Sequence, residues 1–138
     1  MAYGLVVPNA SEIRMLQYLL NKTSVDTPIL HLYSNDITPD EDSVIGDFTE
    51  IPVVCPPGTD VILDPNNWIF NTLDGVGIAE YPTQTYTVIG PVNIYGYYVT
   101  NNAQNFLLWA QRCFYAPVSI TGTGTFSVTP RFSAKSLV

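Results

Sequence analysis

The amino-acid sequence predicts a mainly β fold, an antiparallel β-sandwich or jelly-roll-like barrel with one N-terminal α-helix. Apolar side chains recur clearly at helical spacing in one segment only, residues 9–22. The rest of the chain consists of short apolar or alternating segments separated by turn residues, which is typical of antiparallel strands. A length of 138 residues suits one domain, 1–138, and no internal repeat divides it.

The helix is expected over residues 9–22, after an apolar N-terminal arm or strand at residues 1–8. Asn9 and Glu12 have the spacing of a capping box, in which two side chains bond the free N–H groups of the first turn. Lys22 places a cation near the negative end of the helix dipole, which favours a stop there. Glu12, Arg14 and Gln17 lie on one side of the helix, and an apolar stripe runs along the other: Ile13, Leu16, Leu19 and Leu20.

Strands are expected on both sides of a long loop. Residues 27–34 form an apolar segment that predicts the first full strand. Residues 35–66 are rich in proline and acids, which predicts a meandering loop with edge strands at most near 52–55 and 61–63. Residues 67–138 are expected to form antiparallel strands.

Turn residues mark the strands of the C-terminal half. Residues 68–73 end at Asp74-Gly75, a dipeptide that favours a tight hairpin turn. Residues 92–100 and 106–115 flank a polar loop, which predicts an antiparallel hairpin. Alternating side chains predict two further strands, at residues 83–89 and 125–132.

Composition and charge narrow the range of partners. Twelve acids against five bases leave a net charge of −7, which argues against electrostatic binding of nucleic acid. The longest purely apolar run, residues 106–110, is far too short to span a bilayer, and the chain begins without the basic and apolar regions of an export signal. All acids lie between Glu12 and Glu80, and only bases follow. This asymmetry is typical of a solvated face and would also suit head-to-tail contacts between copies.

The sequence shows no residue spacing typical of a catalytic centre. His31, the only histidine, lies within an apolar strand segment and is expected to be structural. Cys55 and Cys113 lack a paired ligand spacing and are expected to be reduced thiols, with a single disulfide between them left open. We therefore expect a protein that is not an enzyme and holds no cofactor.

The acidic loop contains the only candidate metal ligands. Six acids fall between Asp36 and Glu50, and Ca²⁺ prefers oxygen ligands in a flexible loop. Asp36, Asp40 and Asp42 are the weak candidates. Because the ligand order of an EF-hand is missing, a solvated acidic loop, or one that docks on a basic partner, is the stronger interpretation.

Aromatic residues concentrate in the second half of the chain, where eleven of seventeen follow residue 80. In a regular strand Tyr95 and Tyr97 share one face, while Ile94 and Tyr98 share the other. Both faces therefore carry large side chains, and another part of the chain or another molecule must cover the second. Tyrosine suits a core and an interface alike, so both interpretations stay open.

Several segments resemble small virion structural proteins of tailed bacteriophages, and together they span nearly the full chain. These segments are Leu5-Val-Val-Pro-Asn9 before a leucine-bearing helix, Leu30-His-Leu-Tyr-Ser-Asn-Asp36, Thr38-Pro39, Ile94-Tyr-Gly-Tyr-Tyr-Val-Thr100, Leu107-Leu-Trp-Ala-Gln-Arg112 and Ala116-Pro-Val118. The motifs are structural rather than catalytic, and no ligand or catalytic residue is carried over from them. The chain departs from the family pattern at residues 52–65, which are richer in proline.

The resemblance implies a capsid decoration (cement) protein, a type also carried by phages of cyanobacteria. Such a protein would lie on the capsid surface of the virion, be assembled in the host cytoplasm and bridge subunits of the major capsid protein, as a homo-oligomer, dimer or trimer. Its contact residues are expected in the N-terminal arm, the proline-rich loop and the hairpin: Leu5, Val6, Val7, Pro56, Pro57, Tyr95 and Tyr97.

Two alternatives stay open. The first is a tail, neck or fibre-base component of the virion. The second is a β-sandwich that binds host glycans, with Trp68, Trp109 or a tyrosine as the platform on which a sugar stacks.

Overall fold

The regular structure of the described residues consists of eleven short strands, one α-helix and two 3-10 helices, Ile45–Asp47 and Pro65–Asn67. The structure is a computed structural model and describes residues 5–22, 27–52 and 61–134. It confirms a mainly β, antiparallel, sandwich-like fold with one α-helix near the N-terminus. The helix and strands in chain order are α1 (Asn9–Leu19), β1 (Ile29–Tyr33), β2 (Val61–Ile62), β3 (Ile69–Leu73), β4 (Val76–Glu80), β5 (Gln84–Ile89), β6 (Val92–Ile94), β7 (Gly96–Thr100), β8 (Leu107–Arg112), β9 (Val118–Ile120), β10 (Thr123–Val128) and β11 (Arg131–Ala134).

The largest sheet has the order β2-β1-β7-β8, and its two middle strands are buried along their whole length. The predicted hairpin forms β7 and β8, and β1 pairs antiparallel with β7 from Ile29↔Thr100 to Tyr33↔Gly96. The side chain of Asn101 holds the loop of the hairpin, because its Oδ1 accepts from the backbone N–H groups of Asn105 and Phe106 at 3.1 and 3.0 Å.

The three smaller sheets cover one face of the largest sheet. Their orders are β10-β5, β11-β4-β3 and β6-β9. Tyr86, Val88 and Val128 from these sheets pack with Leu32 and Val99 in one cluster, here called the inner cluster. This layering explains why both faces of β1 and β7 are apolar: strands buried on both sides lack the polar side chains of a half-exposed strand.

The second face is covered by the acid-rich loop itself. Phe48 stacks on Tyr98 with ring centres 4.7 Å apart and meets Tyr33 edge-on at 5.0 Å. Leu107 and Ala110 complete this group, here called the loop-side cluster, with Ile37 and Ile45 from the same loop packed against it. The long loop is therefore a structural cover as well as a connection, which the sequence did not predict.

The face assignment of the hairpin tyrosines is wrong. Ile94 and Tyr97 lie in the inner cluster, whereas Tyr95 and Tyr98 contact the loop-side cluster. The reason is a break between β6 and β7, where Tyr95 leaves the strand and its N–H donates to the carbonyl of Tyr33 at 3.0 Å. One residue outside the ladder reverses the side-chain alternation beyond it.

The helix is shorter than expected and is not held by a capping box. Pro8 occupies the N-cap without a side-chain hydrogen bond, and the N–H of Asn9 donates to the carbonyl of Glu41 at 3.0 Å. Leu20 is the C-cap, so residues 20–22 lie beyond the helix. No helix in the described ranges is both long and apolar enough to cross a bilayer.

Several predicted strands are confirmed with adjusted ends. The segments 27–34, 61–63, 68–73 and 83–89 contain β1, β2, β3 and β5. The segment 125–132 is not one strand, because Thr129 and Pro130 separate β10 from β11. The predicted edge strand near 52–55 lies mostly outside the described residues.

Replacing Gly96 with alanine is expected to lower the free energy of unfolding by about 2 kcal/mol, because an added methyl overpacks the sheet. A Cβ at Gly96 would collide with the carbonyl oxygen of Gln111 and lie 2.8 Å from the Tyr33 ring. Gly122→Ala is the matched control, since a Cβ there meets nothing within 4 Å. Chemical denaturation of both variants checks this, and equal stability of the two would contradict it.

Raising the pH above about 10 is expected to destabilise the fold, because the unfolded phenols ionise there and the buried ones do not. Burial raises the pKa of Tyr97 to about 12, and burial also raises the pKa of Tyr33, Tyr86 and Tyr98 above the ordinary value. The folded state therefore holds these protons more tightly, so stability is fully present below the unfolded pKa and is lost above it. Each tyrosine contributes a fall of up to about 1.4 kcal/mol per pH unit.

Denaturation midpoints measured across this pH range, together with phenolate absorbance, check the expectation. Phenolate formation in all tyrosines near pH 10 without any loss of structure would contradict it.

Candidate interaction surfaces

His31 is a fully partnered core residue. Its Nδ1 donates to Oε1 of Glu50 at 2.7 Å, and its Nε2 lies 2.9 Å from Oγ1 of Thr100. The ring stacks on Tyr98 with centres 4.7 Å apart, and only 4% of the residue is exposed. Both ring nitrogens therefore serve the packing of β1 against its neighbours, in agreement with the structural role that the sequence predicts.

The candidate calcium ligands do not form a cluster among the described residues. Asp36 accepts from the guanidinium of Arg112 at 2.8 Å, so its charge is already paired. Asp40 holds a turn, with its Oδ1 accepting from the N–H of Asp42 at 2.9 Å and from the hydroxyl of Ser43 at 3.3 Å. In the described ranges no three histidine, cysteine or acidic side chains come together as a metal site would require. These hydrogen bonds explain Asp36 and Asp40 as structural side chains of the loop.

The N-terminal arm does not extend away from the body over residues 5–7. Val6 pairs with Ala110 on the outer edge of β8, through backbone hydrogen bonds of 2.9 and 3.0 Å in both directions. Leu5 and Val7 are half-buried against the inner cluster. The structure therefore assigns Leu5, Val6 and Val7 to covering the sheet edge, rather than to a free contact arm.

The tyrosines expected at an interface serve the core. Tyr97 is 5% exposed and donates its hydroxyl to Oε1 of Gln111 at 3.0 Å. Tyr95 is half-buried, with the Arg112 guanidinium 5.2 Å from its ring centre. The two proline candidates, Pro56 and Pro57, lie outside the described residues.

The tryptophans do not present an open stacking platform. Trp109 is 7% exposed and packs against Phe132 with ring centres 5.1 Å apart. Trp68 is half-buried and lies edge-on to Trp109 at 6.2 Å and to Tyr81 at 5.2 Å. A sugar ring needs an exposed aromatic face, so Trp109 is not a suitable platform for the glycan-binding alternative.

One exposed apolar surface is a stripe along α1 and its C-cap that points away from the body. Its exposed fractions are 60% for Ile13, 58% for Leu16 and 73% for Leu20, with Leu19 at 80%. The helix instead packs through the opposite side, where Ser11 is fully buried and Arg14, Met15 and Tyr18 are half-buried. The sequence correctly marked the stripe, which lies on the exposed side of the helix, the reverse of the usual arrangement.

A second apolar surface is the edge strand β3. All five of its residues are exposed, and Ile69, Phe70 and Leu73 are exposed by 68%, 75% and 57%. The predicted turn at Asp74-Gly75 closes the β3–β4 hairpin, with positive φ at both residues, the conformation of a type I′ turn. Successive side chains of a strand point to opposite faces. The adjacent apolar residues Ile69 and Phe70 therefore indicate, in the sequence itself, a strand that is apolar on both faces.

An apolar cleft separates α1 from the face of the β11-β4-β3 sheet that carries Phe70. It encloses about 250 Å³ and is lined by Met15, Trp68, Phe70, Leu108 and Phe132, among others. The fully buried hydroxyl of Ser11 also borders the cleft. Apolar area therefore continues from the edge strand toward the helix.

A third apolar surface is the pair Phe114 and Tyr115, just after β8. Their rings meet edge-on at 4.5 Å, and they are exposed by 50% and 80%. The sequence predicted these residues as the end of a strand, so it did not reveal a protruding pair. Nearby Cys113 is a free, half-buried thiol whose pKa is raised by burial, and Cys55 lies outside the described residues.

Comparisons of the chain with protein-family models, with curated proteins and with solved structures find no match.

Calcium is expected to leave the melting temperature unchanged, because the described acidic side chains form no ligand cluster and bound metal would add stability. Thermal melts in millimolar Ca²⁺ and in excess chelator check this, with Mg²⁺ as the control for ionic strength. A rise of several degrees specific to Ca²⁺ would contradict it and would support the calcium hypothesis for the loop.

Proposed function

We propose that this protein is a capsid decoration (cement) protein of a tailed bacteriophage. It binds the outer surface of the shell, bridges subunits of the major capsid protein, and acts as a dimer or trimer. The proposal places it on the capsid surface of the virion after assembly in the host cytoplasm, and assigns it no enzymatic activity and no cofactor. The sequence resemblance to small virion proteins is its starting point.

The observation that carries the proposal is the amount of large apolar surface left open. Twelve large apolar side chains of the described residues are each at least half exposed; six of them lie on α1 and β3, and Leu20 directly follows α1. Contiguous exposed apolar area is typical of protein–protein contact surfaces. Symmetric assembly repeats each contact over many copies, so that modest interfaces together stabilise a shell.

Charge and core packing are consistent with the same role. The chain carries few charges, 12% of residues, and the large aromatic side chains of the sheet are committed to packing. His31 and Asp36 are engaged in contacts that hold the fold. What is left on the surface is suited to burial against neighbours rather than to chemistry.

Purified particles of the phage that encodes this chain test the proposal. Cryo-electron microscopy is expected to show its density on the shell, and quantitative mass spectrometry is expected to give a copy number comparable to that of the major capsid protein. Absence from the particles would overturn the proposal. A copy number of a handful, with density at the tail or neck, would replace it with the tail-component alternative.

Substituting Leu73→Glu on β3 is expected to lower occupancy of purified shells by about tenfold, because a charge would enter an apolar contact. Thr125→Glu is the matched control, since Thr125 is an exposed polar residue of β10, on another sheet. Sedimentation of shells with each variant measures the occupancy. Equal loss for both variants, or loss for neither, would mean that β3 does not carry the contact.

A further inference from the structure

The helix α1 has its two faces arranged in the reverse of the usual order. At 3.6 residues per turn, Ile13 and Leu20 lie nearly opposite Ser11. Ser11 is fully buried, whereas Ile13 and Leu20 are exposed by 60% and 73%. A surface helix ordinarily buries its apolar stripe and exposes its polar face. The outward stripe of Ile13, Leu16 and Leu20, here called the outer stripe, therefore lacks a cover within the described residues.

We propose that the outer stripe is a homodimer contact, in which α1 packs antiparallel against α1 of a second copy about a two-fold axis. In a two-fold contact the same patch of each copy faces its counterpart, so the patch must be complementary to itself in shape and charge. The outer stripe contains no charged residue, and its branched apolar side chains can interdigitate along the helices.

The charges at the two ends of the helix favour the antiparallel arrangement. Glu12 lies in the first turn and Lys22 lies just after the last, and both are exposed. Neither side chain forms an ion pair within the part of the chain that the structure describes. In an antiparallel pair Glu12 approaches the partner's Lys22 at both ends, whereas a parallel pair would bring like charges together.

The size of the patch sets the strength of the contact. A helix of 11 residues is roughly 16 Å long, so the buried area falls short of the roughly 1,200 Å² of a standard stable interface. The dimer is therefore expected to dissociate on dilution. This inference rests on the dimer included in the proposed function and names the surface through which that dimer forms. The dimer is tested on the free protein, so a failure to dimerise is distinguishable from a failure to bind a capsid.

Light scattering over a concentration series tests the contact with one variant and one control. The unaltered protein is expected to pass from monomer to dimer, and Leu16→Glu is expected to stay monomeric with unchanged circular dichroism and melting temperature. Leu73→Glu is the matched control, because Leu73 is exposed by 57% and Leu16 by 58%, and it is expected to dimerise normally.

The following outcomes would overturn the proposal: a monomer at every concentration, a trimer, a dimer that survives Leu16→Glu, or a dimer lost in Leu73→Glu but kept in Leu16→Glu. The last outcome would place the contact at β3. If the protein dimerises through α1 but is absent from phage particles, the helix contact stands and the capsid proposal fails.

Charge exchange tests the orientation. Glu12→Lys and Lys22→Glu are each expected to weaken the dimer roughly threefold, and the double variant is expected to restore it. Each single change also places an unfavourable charge at one end of the helix dipole. If the dipole caused the weakening, the two effects would add in the double variant, whereas restored ion pairs between copies would cancel them. A double variant weaker than either single variant would overturn the antiparallel arrangement.

Discussion

The fold depends on covering both faces of one strand pair. The paired strands β1 and β7 are buried along their whole length. Exposing either face to solvent would therefore lose much of the free energy gained by burying apolar surface. The smaller sheets cover one face through the inner cluster. Phe48, carried by the acid-rich loop, covers the other by stacking on Tyr98. The loop is therefore as necessary to the sheet as a further strand would be.

That constraint also decides which residues are free to contact other molecules. The hairpin tyrosines and Trp109 pack in or against the two clusters. The arm at residues 5–7 lies along the edge of β8, where Val6 pairs with Ala110. Among the described residues, the exposed large apolar side chains include those of the outer stripe of α1 and of the edge strand β3. Exposed apolar area of this kind is typical of surfaces that contact other molecules.

The candidate surfaces differ in the contacts they suit. The outer stripe is short, uncharged and flanked by opposite charges, which suits a self-complementary contact between copies. The β3 edge combines exposed apolar side chains with a side that no other strand of the described residues pairs, which suits a larger or extended partner. In the proposed assembly the two contacts lie on separate elements, so that a dimer would offer two β3 edges to a shell at once.

Local patterns were sufficient for much of the fold. Helical spacing identified α1, the Asp74-Gly75 dipeptide identified the β3–β4 turn, and the polar loop between aromatic segments identified the β7–β8 hairpin. The apolar neighbours of His31 in the sequence predicted that its ring is buried. A buried polar ring requires hydrogen-bond partners, and the structure supplies them at Glu50 and Thr100.

Only the tertiary structure decided which side of each element faces the core. Periodicity shows that α1 has an apolar stripe, but it carries no information about where the rest of the molecule lies, and here the body packs on the opposite side at Ser11. Likewise, alternation predicts the faces of Tyr95 and Tyr97 only if the strand is unbroken, and the close approach of Gly96 to β8 and Tyr33 accompanies a break there. Side-chain periodicity is a property of the local backbone, whereas burial is set by contacts between residues distant in sequence.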